Sequence, residues 1–172
     1  MESKVLFGEI LRPQGVEGEV KAVSDLDTSD GIGSIRKLFL ELHGRESCLH
    51  VRSIRDRDGF LYIMFDEITD RDKAESLRGA KLRAFRGDIK LDPNTNFRED
   101  IIGCTLIAEE DQSILGTVTG IRKLPVHDVY EIKTPSGAGM IPALIRIFPE
   151  IDVERKTIRT VKKYFLECFV EQ

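Results

Sequence analysis

Residues 48–65 read CLHVRSIRDRDGFLYIMF, and this stretch decides the fold. Two runs rich in β-branched, aromatic and other apolar residues, 48–54 and 60–65, flank the polar segment RDRDG. Gly59 can adopt the positive φ that closing such a turn requires. The pattern therefore predicts a β-hairpin with its loop over residues 55–59.

Short β segments continue on both sides of this hairpin. Glycine, proline and aspartate turns separate them, and this regular spacing is typical of a barrel. Thr69 is placed to cap a single helix, Asp70 and Asp72 complement the positive end of its dipole, and Gly79 ends it. We predict a six-stranded β-barrel with one short helix. Its strands are predicted over residues 5–11, 19–23, 37–42, 48–54, 60–65 and 80–85.

A polar connector follows the first half. Residues 91–98, LDPNTNFR, combine a proline with two asparagines and favour neither helix nor sheet. Short strands then return, with loops predicted over 109–113 and 135–139. We therefore predict an all-β chain of two small β-barrel domains, residues 1–90 and 99–172, joined by a linker over 91–98. The second domain's predicted strands are 104–108, 115–121, 129–133, 140–144, 150–153 and 157–161.

The composition excludes several classes of protein. The chain has 172 residues, 41% hydrophobic and 33% charged, with no apolar run near the roughly 18 residues of a membrane span. Its polar start leads directly into a strand-like segment and lacks the features of a secretory signal, so we expect a cytoplasmic protein. Cys48, Cys104 and Cys168 are odd in number and far apart, which favours reduced, buried thiols over a disulfide framework.

The net charge of −4 argues against a general binder of polyanions. Contact with nucleic acid must then use local basic clusters. The cluster in residues 155–163 alternates with Ile158 and Val161, which predicts a strand with one cationic face. That face could serve solubility or contact RNA phosphates. The two clusters are Arg36, Lys37, Arg45, Arg52, Arg55 and Arg57, then Arg155, Lys156, Arg159, Lys162 and Lys163.

No pattern of residues strongly indicates catalysis. Three Asp-x-Asp pairs could serve a metal-dependent hydrolase if both carboxylates shared a strand face, but turns and helix capping explain them better. A stretch from residue 25 that is similar to a calcium loop has Arg36 where the closing glutamate should stand. The three pairs are Asp25/Asp27, Asp56/Asp58 and Asp70/Asp72.

A soft-metal site is also disfavoured. His43, Cys48 and His50 lack the fourth ligand that a structural zinc normally takes, and a half-buried strand face explains them better. With three histidines and no nucleophile-elbow motif, nothing selects a nucleophile and its base. We therefore expect no catalytic residue, no metal ligand and no cofactor.

Several blocks of the sequence, in order, resemble the RimM family of ribosome maturation factors. GEILRPQGVEGEVK over residues 8–21 resembles the family's opening strand, glycine-bounded turn and second strand, and TDRDKAESLRG over 69–79 resembles its single helix. DIIG at 100–103, LGTV at 115–118, HDV at 127–129, IP at 141–142 and IDV at 151–153 resemble a PRC-barrel. The family's paired tyrosines before the DIIG block fall on Asn96 and Phe97.

The resemblance implies a RimM-type barrel, a PRC-barrel and an assembly factor without catalysis. Such a factor binds the immature small (30S) ribosomal subunit at its head, near ribosomal protein S-nineteen, and promotes late maturation and 16S rRNA processing by favouring one conformation of its target. We expect a monomer without a membrane partner. The expected contacts to the ribosomal protein are Phe97, Arg98, His127 and Asp128. The expected rRNA contacts are Arg12, Arg36, Lys37, Arg155, Lys156, Arg159, Lys162 and Lys163.

Alternatives remain for the anchor residue and for the function. Phe97 is the expected aromatic anchor of the contact, and simple packing between domains is the other interpretation of it. A PRC-barrel scaffold that binds a protein outside the ribosome is the second functional hypothesis. A metal-assisted RNA-processing enzyme is the third.

Overall fold

The structure is a computed structural model that describes residues 2–26, 31–92 and 95–172. Asp27, which belongs to the first Asp-x-Asp pair and to the calcium-loop-like stretch, lies outside the described residues, as do two linker residues, 93 and 94. The chain divides into two compact units between Phe97 and Arg98. The predicted linker over 91–98 therefore ends where the second unit begins.

Six strands of the first unit form a closed barrel in the order β1-β2-β5-β4-β3-β6. Alternate residues of β2, β3 and β5 are buried, because successive side chains of a strand point to opposite faces. The buried faces fill the barrel with Phe7, Ile10, Leu40, Ile63 and Phe65 among others. The predicted six-stranded barrel is confirmed. Its strands are β1 (Lys4–Gln14), β2 (Glu19–Ser24), β3 (Lys37–Leu42), β4 (Arg45–Arg57), β5 (Phe60–Phe65) and β6 (Lys81–Phe85).

The hairpin of β4 and β5 has a tighter turn than the sequence predicts. Arg57 pairs with Phe60, so only Asp58 and Gly59 form the turn. Both have positive φ, 53° and 79°, as a two-residue hairpin turn matching the strand twist requires. Residues 55–57, predicted as loop, therefore belong to β4.

One short helix, α1 (Arg71–Glu75), packs against the barrel through the buried Ala74. Its cap is Asp70, whose side chain accepts a 2.8 Å hydrogen bond from the backbone N–H of Lys73. The prediction of Thr69 as cap is wrong by one residue. The Thr69 hydroxyl instead accepts a 3.2 Å hydrogen bond from Lys73 Nζ. A 3-10 turn, Arg86–Asp88, follows the last strand of the barrel.

The second unit contains a seven-stranded sheet in the order β11-β12-β7-β8-β9-β10-β13. The neighbours β12 and β7 run parallel and the other pairs antiparallel. A separate core of residues such as Leu106, Ile132, Ile141 and Ile158 lies against it. The strands are β7 (Thr105–Ala108), β8 (Ile114–Lys123), β9 (Asp128–Lys133), β10 (Ala138–Pro142), β11 (Glu150–Asp152), β12 (Thr157–Thr160) and β13 (Val170–Glu171).

The second unit departs from the prediction at its ends. Two helices lie outside the predicted strands. The helix α2 (Arg98–Ile101) begins at the last residue of the predicted linker and continues into the predicted second domain, and α3 (Lys162–Cys168) follows the last predicted strand. The strand β10 begins inside the predicted loop 135–139 and ends at Pro142. The predicted cationic strand over 155–163 is wrong, because a turn includes Lys156 with φ 55°, β12 covers only four residues and a helix follows. No helix of the described chain is long and apolar enough to span a membrane.

Gly18 provides a test of the barrel's β1–β2 turn. Its φ is 91°, and a Cβ at this position would lie 2.3 Å from the backbone oxygen of Ile68. Gly44 has a similar φ of 74° with open space around it. We predict that Gly44→Ala lowers the free energy of unfolding by about 1–2 kcal/mol, the cost of left-handed backbone. We expect Gly18→Ala to cost about 2 kcal/mol more, because rigid backbone must also move.

Equilibrium urea unfolding of the whole chain, followed by far-ultraviolet circular dichroism, measures both changes. Equal losses in the two variants would contradict the close approach at Gly18.

Candidate binding surfaces

Arg98, His127 and Asp128 lie together in the second unit. The guanidinium of Arg98 makes two hydrogen bonds to the Asp128 carboxylate, Nε to Oδ2 at 2.9 Å and Nη2 to Oδ1 at 3.0 Å. The two side chains are 13% and 22% exposed. Such a two-point pair has a fixed geometry and attaches the start of α2 to the start of β9. His127 adds a contact of 3.0 Å between Nδ1 and the backbone oxygen of Asp128.

Phe97, the residue before Arg98, belongs to the first unit. Its ring is in the core of the first unit and only 8% of the residue is exposed. The Arg86 guanidinium carbon lies 5.1 Å from the ring centroid, a cation–π distance. Most of the ring is therefore covered within the first unit, and packing, the other interpretation of Phe97, describes this position.

Exposed apolar residues lie in the turns next to His127 and Asp128. Leu124 and Val126, in the β8–β9 turn, are 48% and 91% exposed, and Ile145 is 82% exposed. The register places these residues at one end of the sheet, because Lys123 pairs with Asp128 and the N–H of Ala143 donates to the Asp128 backbone oxygen at 2.8 Å. We call this set, Leu124, Val126, His127, Asp128 and Ile145, the apolar end.

The sequence alone indicates only the polar members of the apolar end. Leu124 and Val126 are separated by a proline and carry no periodic signal, and Ile145 follows a strand that sequence reasoning ends at residue 144. Isolated exposed apolar residues are common on protein surfaces. Only the strand register brings these three to one place, where they become a candidate surface for binding a protein.

Most cations of the second basic cluster already have partners. Arg159 lies 3.6 Å from a Glu109 oxygen and 3.5 Å from a Glu150 oxygen. Lys162 lies 2.7 Å from an Asp111 oxygen. The Lys156 ammonium group donates to the backbone oxygens of residues 100 and 102. Arg155 is 84% exposed on its side chain and lies 3.7 Å from Asp152. Carboxylates therefore pair with three of the five cations, Arg155, Arg159 and Lys162, and the cluster is not displayed on one strand face.

Lys163 belongs to a different arrangement at α3. Its ammonium group lies 5.9 Å from the Tyr164 ring centroid, and the Arg146 guanidinium lies 5.7 Å from the same ring. We call Arg146, Lys163 and Tyr164 the Tyr164 group. Arg146 stands alone in the sequence among apolar residues, so no charge cluster could have identified it.

In the first basic cluster, some cations have carboxylate partners and others do not. Arg52, Arg55 and Arg57 form ion pairs with Asp66, Glu19 and Asp58. In the part of the chain that the structure describes, no carboxylate pairs with the exposed side chains of Arg12, Arg36, Lys37 and Arg45. Arg36 and Lys37 adjoin at the start of β3, whereas Arg45 begins β4 after the turn at its other end.

The residues considered for metal chemistry do not form a metal site within the described ranges, where no group of three His, Cys, Asp or Glu side chains could hold an ion. Cys48 and His50 are exposed on β4, so the expectations of a buried thiol at Cys48 and of a half-buried face there are wrong. The outer surface of β4 is uncovered, and His50 pairs with Glu67 at 2.5 Å. Cys104 is buried, and burial raises the pKa of its thiol.

Comparison with known proteins follows the same two-part division. A model of the RimM N-terminal domain matches residues 5–86, and a model of the RimM PRC barrel domain matches residues 98–166. The ribosome maturation factor RimM of Oleidesulfovibrio alaskensis is 35% identical over 164 residues, which cover 92% of each chain. That of Prosthecochloris aestuarii is 30% identical over 162 residues, covering 92% of this chain and 94% of the relative.

A crystal structure of a 16S ribosomal RNA processing protein RimM from Pseudomonas aeruginosa aligns with a TM-score of 0.47 and 21% identity, covering 92% of this chain and 97% of that one. The fold and the candidate surfaces described above define a mostly β protein of two units, with surfaces suited to binding. With both domain models matched in order, the chain belongs to the RimM family.

The pair of Lys162 and Asp111 gives a pH prediction. Hydrogen bonds from Lys162 and from Ser113 hold the pKa of the Asp111 carboxyl well below its usual range. Because the folded pKa is lowered, the pair stabilises the fold above the ordinary aspartate pKa of about 3.9, and this contribution is lost as the pH falls through the folded value. We predict that Lys162→Met raises the pKa of Asp111 toward its ordinary value.

Carbon-detected nuclear magnetic resonance (NMR) of the Asp111 carboxyl group measures this titration. Lys163→Met is the matched control, because Lys163 faces the Tyr164 ring and should leave Asp111 unchanged. An unshifted Asp111 titration in Lys162→Met would contradict the assigned cause.

Proposed function

We propose that this chain is a ribosome maturation factor that acts by binding. It binds the immature small (30S) ribosomal subunit at its head, beside protein S-nineteen, and promotes late maturation and 16S rRNA processing without catalysing a reaction. The names of its relatives support a role in ribosome maturation. The structural observation that carries the proposal is the apolar end, with Val126 91% exposed beside a rigid ion pair.

The apolar end is the proposed contact with the ribosomal protein. Val126 and Ile145 contribute apolar surface that loses its contact with water on binding. Such buried central residues carry much of the affinity of protein interfaces. Arg98 and Asp128 hold the neighbouring turn in place, because their paired atoms fix the first residue of β9. His127 contributes a polar rim to the same surface. We assign the anchor role to Val126 rather than to Phe97, because Phe97 is covered in the first unit.

The proposed rRNA contacts are Arg12, Arg36 and Lys37, which have no carboxylate partner among the described residues, together with the Tyr164 group. Arg12, Arg36 and Lys37 are exposed, so phosphate oxygens can reach their side chains. In the Tyr164 group, an exposed Lys163 and Arg146 flank an aromatic ring, a combination that suits RNA through phosphate pairing and base stacking. Arg155, Lys156, Arg159 and Lys162 serve the fold first, because their contacts with the protein compete with phosphate.

The alternative functions differ in their partner. A scaffold outside the ribosome could use the same apolar end, and it would bind a protein without preferring immature subunits. A metal-dependent RNA-processing enzyme needs a group of metal ligands, and the described ranges contain no candidate group of that kind. Activity of the purified protein on precursor rRNA that is abolished by a chelator would favour the enzyme.

Val126→Asp tests the apolar end. We predict that it weakens co-sedimentation with immature small subunits at least about tenfold, because a buried carboxylate would replace an apolar anchor. Ile114→Asp is the control. Ile114 is also exposed, at 65%, but it lies at the opposite end of β8 from the apolar end. Equal effects of the two substitutions, or no preference of the wild-type chain for immature over assembled particles, would exclude the proposed docking.

The dependence of binding on salt tests the rRNA contacts. We predict that Arg36→Gln lowers the slope of log affinity against log salt by about 0.7–0.9, the value for one phosphate contact. Arg52→Gln should leave the slope unchanged, because Asp66 already neutralises Arg52 at 3.0 Å. Sedimentation at a series of potassium chloride concentrations gives both slopes. A slope that does not change in Arg36→Gln would remove this residue from the rRNA contact.

A further inference from the structure

Two aromatic rings lie on the outer surface of the first barrel, on the strand β5. Phe60 and Tyr62 are partly exposed, whereas Leu61 and Ile63 are buried, with 1% and 0% of each residue exposed. Because successive side chains of a strand point to opposite faces, both rings point away from the core. Their Cα atoms are about 7 Å apart, twice the rise per residue of a strand. The two rings therefore lie side by side on one face of the sheet.

The strand register places cations beside these rings. Lys21 of β2 pairs with Tyr62, and Arg12 of β1 pairs with Lys21. On the other side, Arg55 of β4 pairs with Tyr62. Directly paired residues of neighbouring strands point to the same face, so these four residues form one row across four strands. We call Arg12, Lys21, Phe60 and Tyr62 the aromatic face.

Carboxylates border the aromatic face. Glu19 accepts a 2.8 Å hydrogen bond from Arg55, and Asp58 lies 3.6 Å from Arg57. Glu9 is exposed in the next row, where it pairs with a residue of β2. The two β4 arginines are therefore partly neutralised, and an anion on this surface meets its unpaired cations on β1 and β2.

Arg12 and Lys21 pair with no carboxylate in the part of the chain that the structure describes. The Lys21 ammonium group instead lies over the Phe60 ring, 3.9 Å from its centroid. An exposed cation–π contact is weaker than the stacking of a base on an aromatic ring, so a base can displace the lysine. The displaced ammonium group then pairs with a phosphate next to Arg12.

Partly exposed rings on a sheet, with cations beside them, suit unpaired nucleotides. Every unpaired base presents a π face to an aromatic side chain, whereas the bases of a duplex stack on one another. The phosphates between the bases supply the negative charge that Arg12 and Lys21 lack. An acidic protein surface would use the two cations and leave the rings without a partner.

We propose that the aromatic face binds unpaired RNA. One base stacks on Tyr62 and the next on Phe60, and the phosphates lie against Arg12 and Lys21. This inference rests on the proposed function and deepens it, because it names unpaired bases as the part of the rRNA that the first unit recognises.

Fluorescence anisotropy of the full chain with labelled octauridylate measures this binding. The matched probe is an octamer of abasic spacers, which carries the same phosphates without the bases. We expect octauridylate to bind about tenfold more tightly, because only its bases can stack on the rings. Equal affinities of the two octamers would overturn the proposal, since charge alone would then account for the binding.

Variants of one ring locate the bases. Tyr62→Leu should weaken the binding of octauridylate about tenfold, and Tyr62→Phe should retain it because the ring remains. Phe39→Leu is the matched control, since Phe39 is also a partly exposed ring but lies on β3, where it packs against Phe85. Equal losses of affinity in Tyr62→Leu and Phe39→Leu, or no loss in either, would overturn the stacking contact.

The phosphate contact has its own test. Lys21→Gln should lower the slope of log affinity against log salt by about 0.7, the value for one phosphate of a single strand. An unchanged slope would overturn the assigned contact between Lys21 and a phosphate.

Proton NMR of the wild-type chain provides a measurement that needs no variant. Ring signals of Phe60 and Tyr62 should shift to lower frequency when octauridylate binds, and the abasic octamer should not produce this shift. Unshifted ring signals at saturation would overturn the proposal.

Co-sedimentation of the same chain with immature small subunits separates this proposal from the proposed function. A chain that co-sediments but does not prefer octauridylate over the abasic octamer would overturn the aromatic face alone. A chain that prefers octauridylate but does not co-sediment would overturn the proposed function instead.

Discussion

The pairing of β6 on both of its edges is the constraint on which the first unit depends. Residues of β6 pair with β1 on one side and with β3 on the other, which joins the two ends of the sheet. Closure leaves no strand edge exposed and fixes the interior that the alternating apolar residues fill. The turns at the rim of the barrel then have defined positions.

Local turn chemistry and alternation of apolar residues account for the part of the fold that the sequence predicts. Asp58-Gly59 and the flanking apolar runs specify a hairpin because few residues adopt positive φ and a strand buries every second side chain. The helix α3 escapes prediction for a physical reason. Its N-cap, Val161, makes no side-chain capping bond, so the usual sequence signal for the start of a helix is missing. Packing of Phe165 and Phe169 stabilises it instead.

The candidate surfaces were harder to predict than the strands, because they depend on contacts between distant residues. Arg98 and Asp128 are individually visible in the sequence, but their pairing depends on how α2 meets β9. The basic run at 155–163 was identified as a cluster, yet carboxylates of other loops neutralise Arg159 and Lys162. The exposure of Val126 is likewise a property of the folded chain.

The parallel pair of β7 and β12 has a consequence for the order in which the chain can fold during its own synthesis. The first barrel has all its strands once residue 85 has emerged, whereas β7 ends at Ala108 and its neighbour β12 begins only at Thr157. At a synthesis rate of roughly 5–20 residues per second, one edge of β7 stays unpaired for several seconds before β12 is made. During that interval the nascent second unit is open to pairing with the wrong strand, while the completed barrel ahead of it is not.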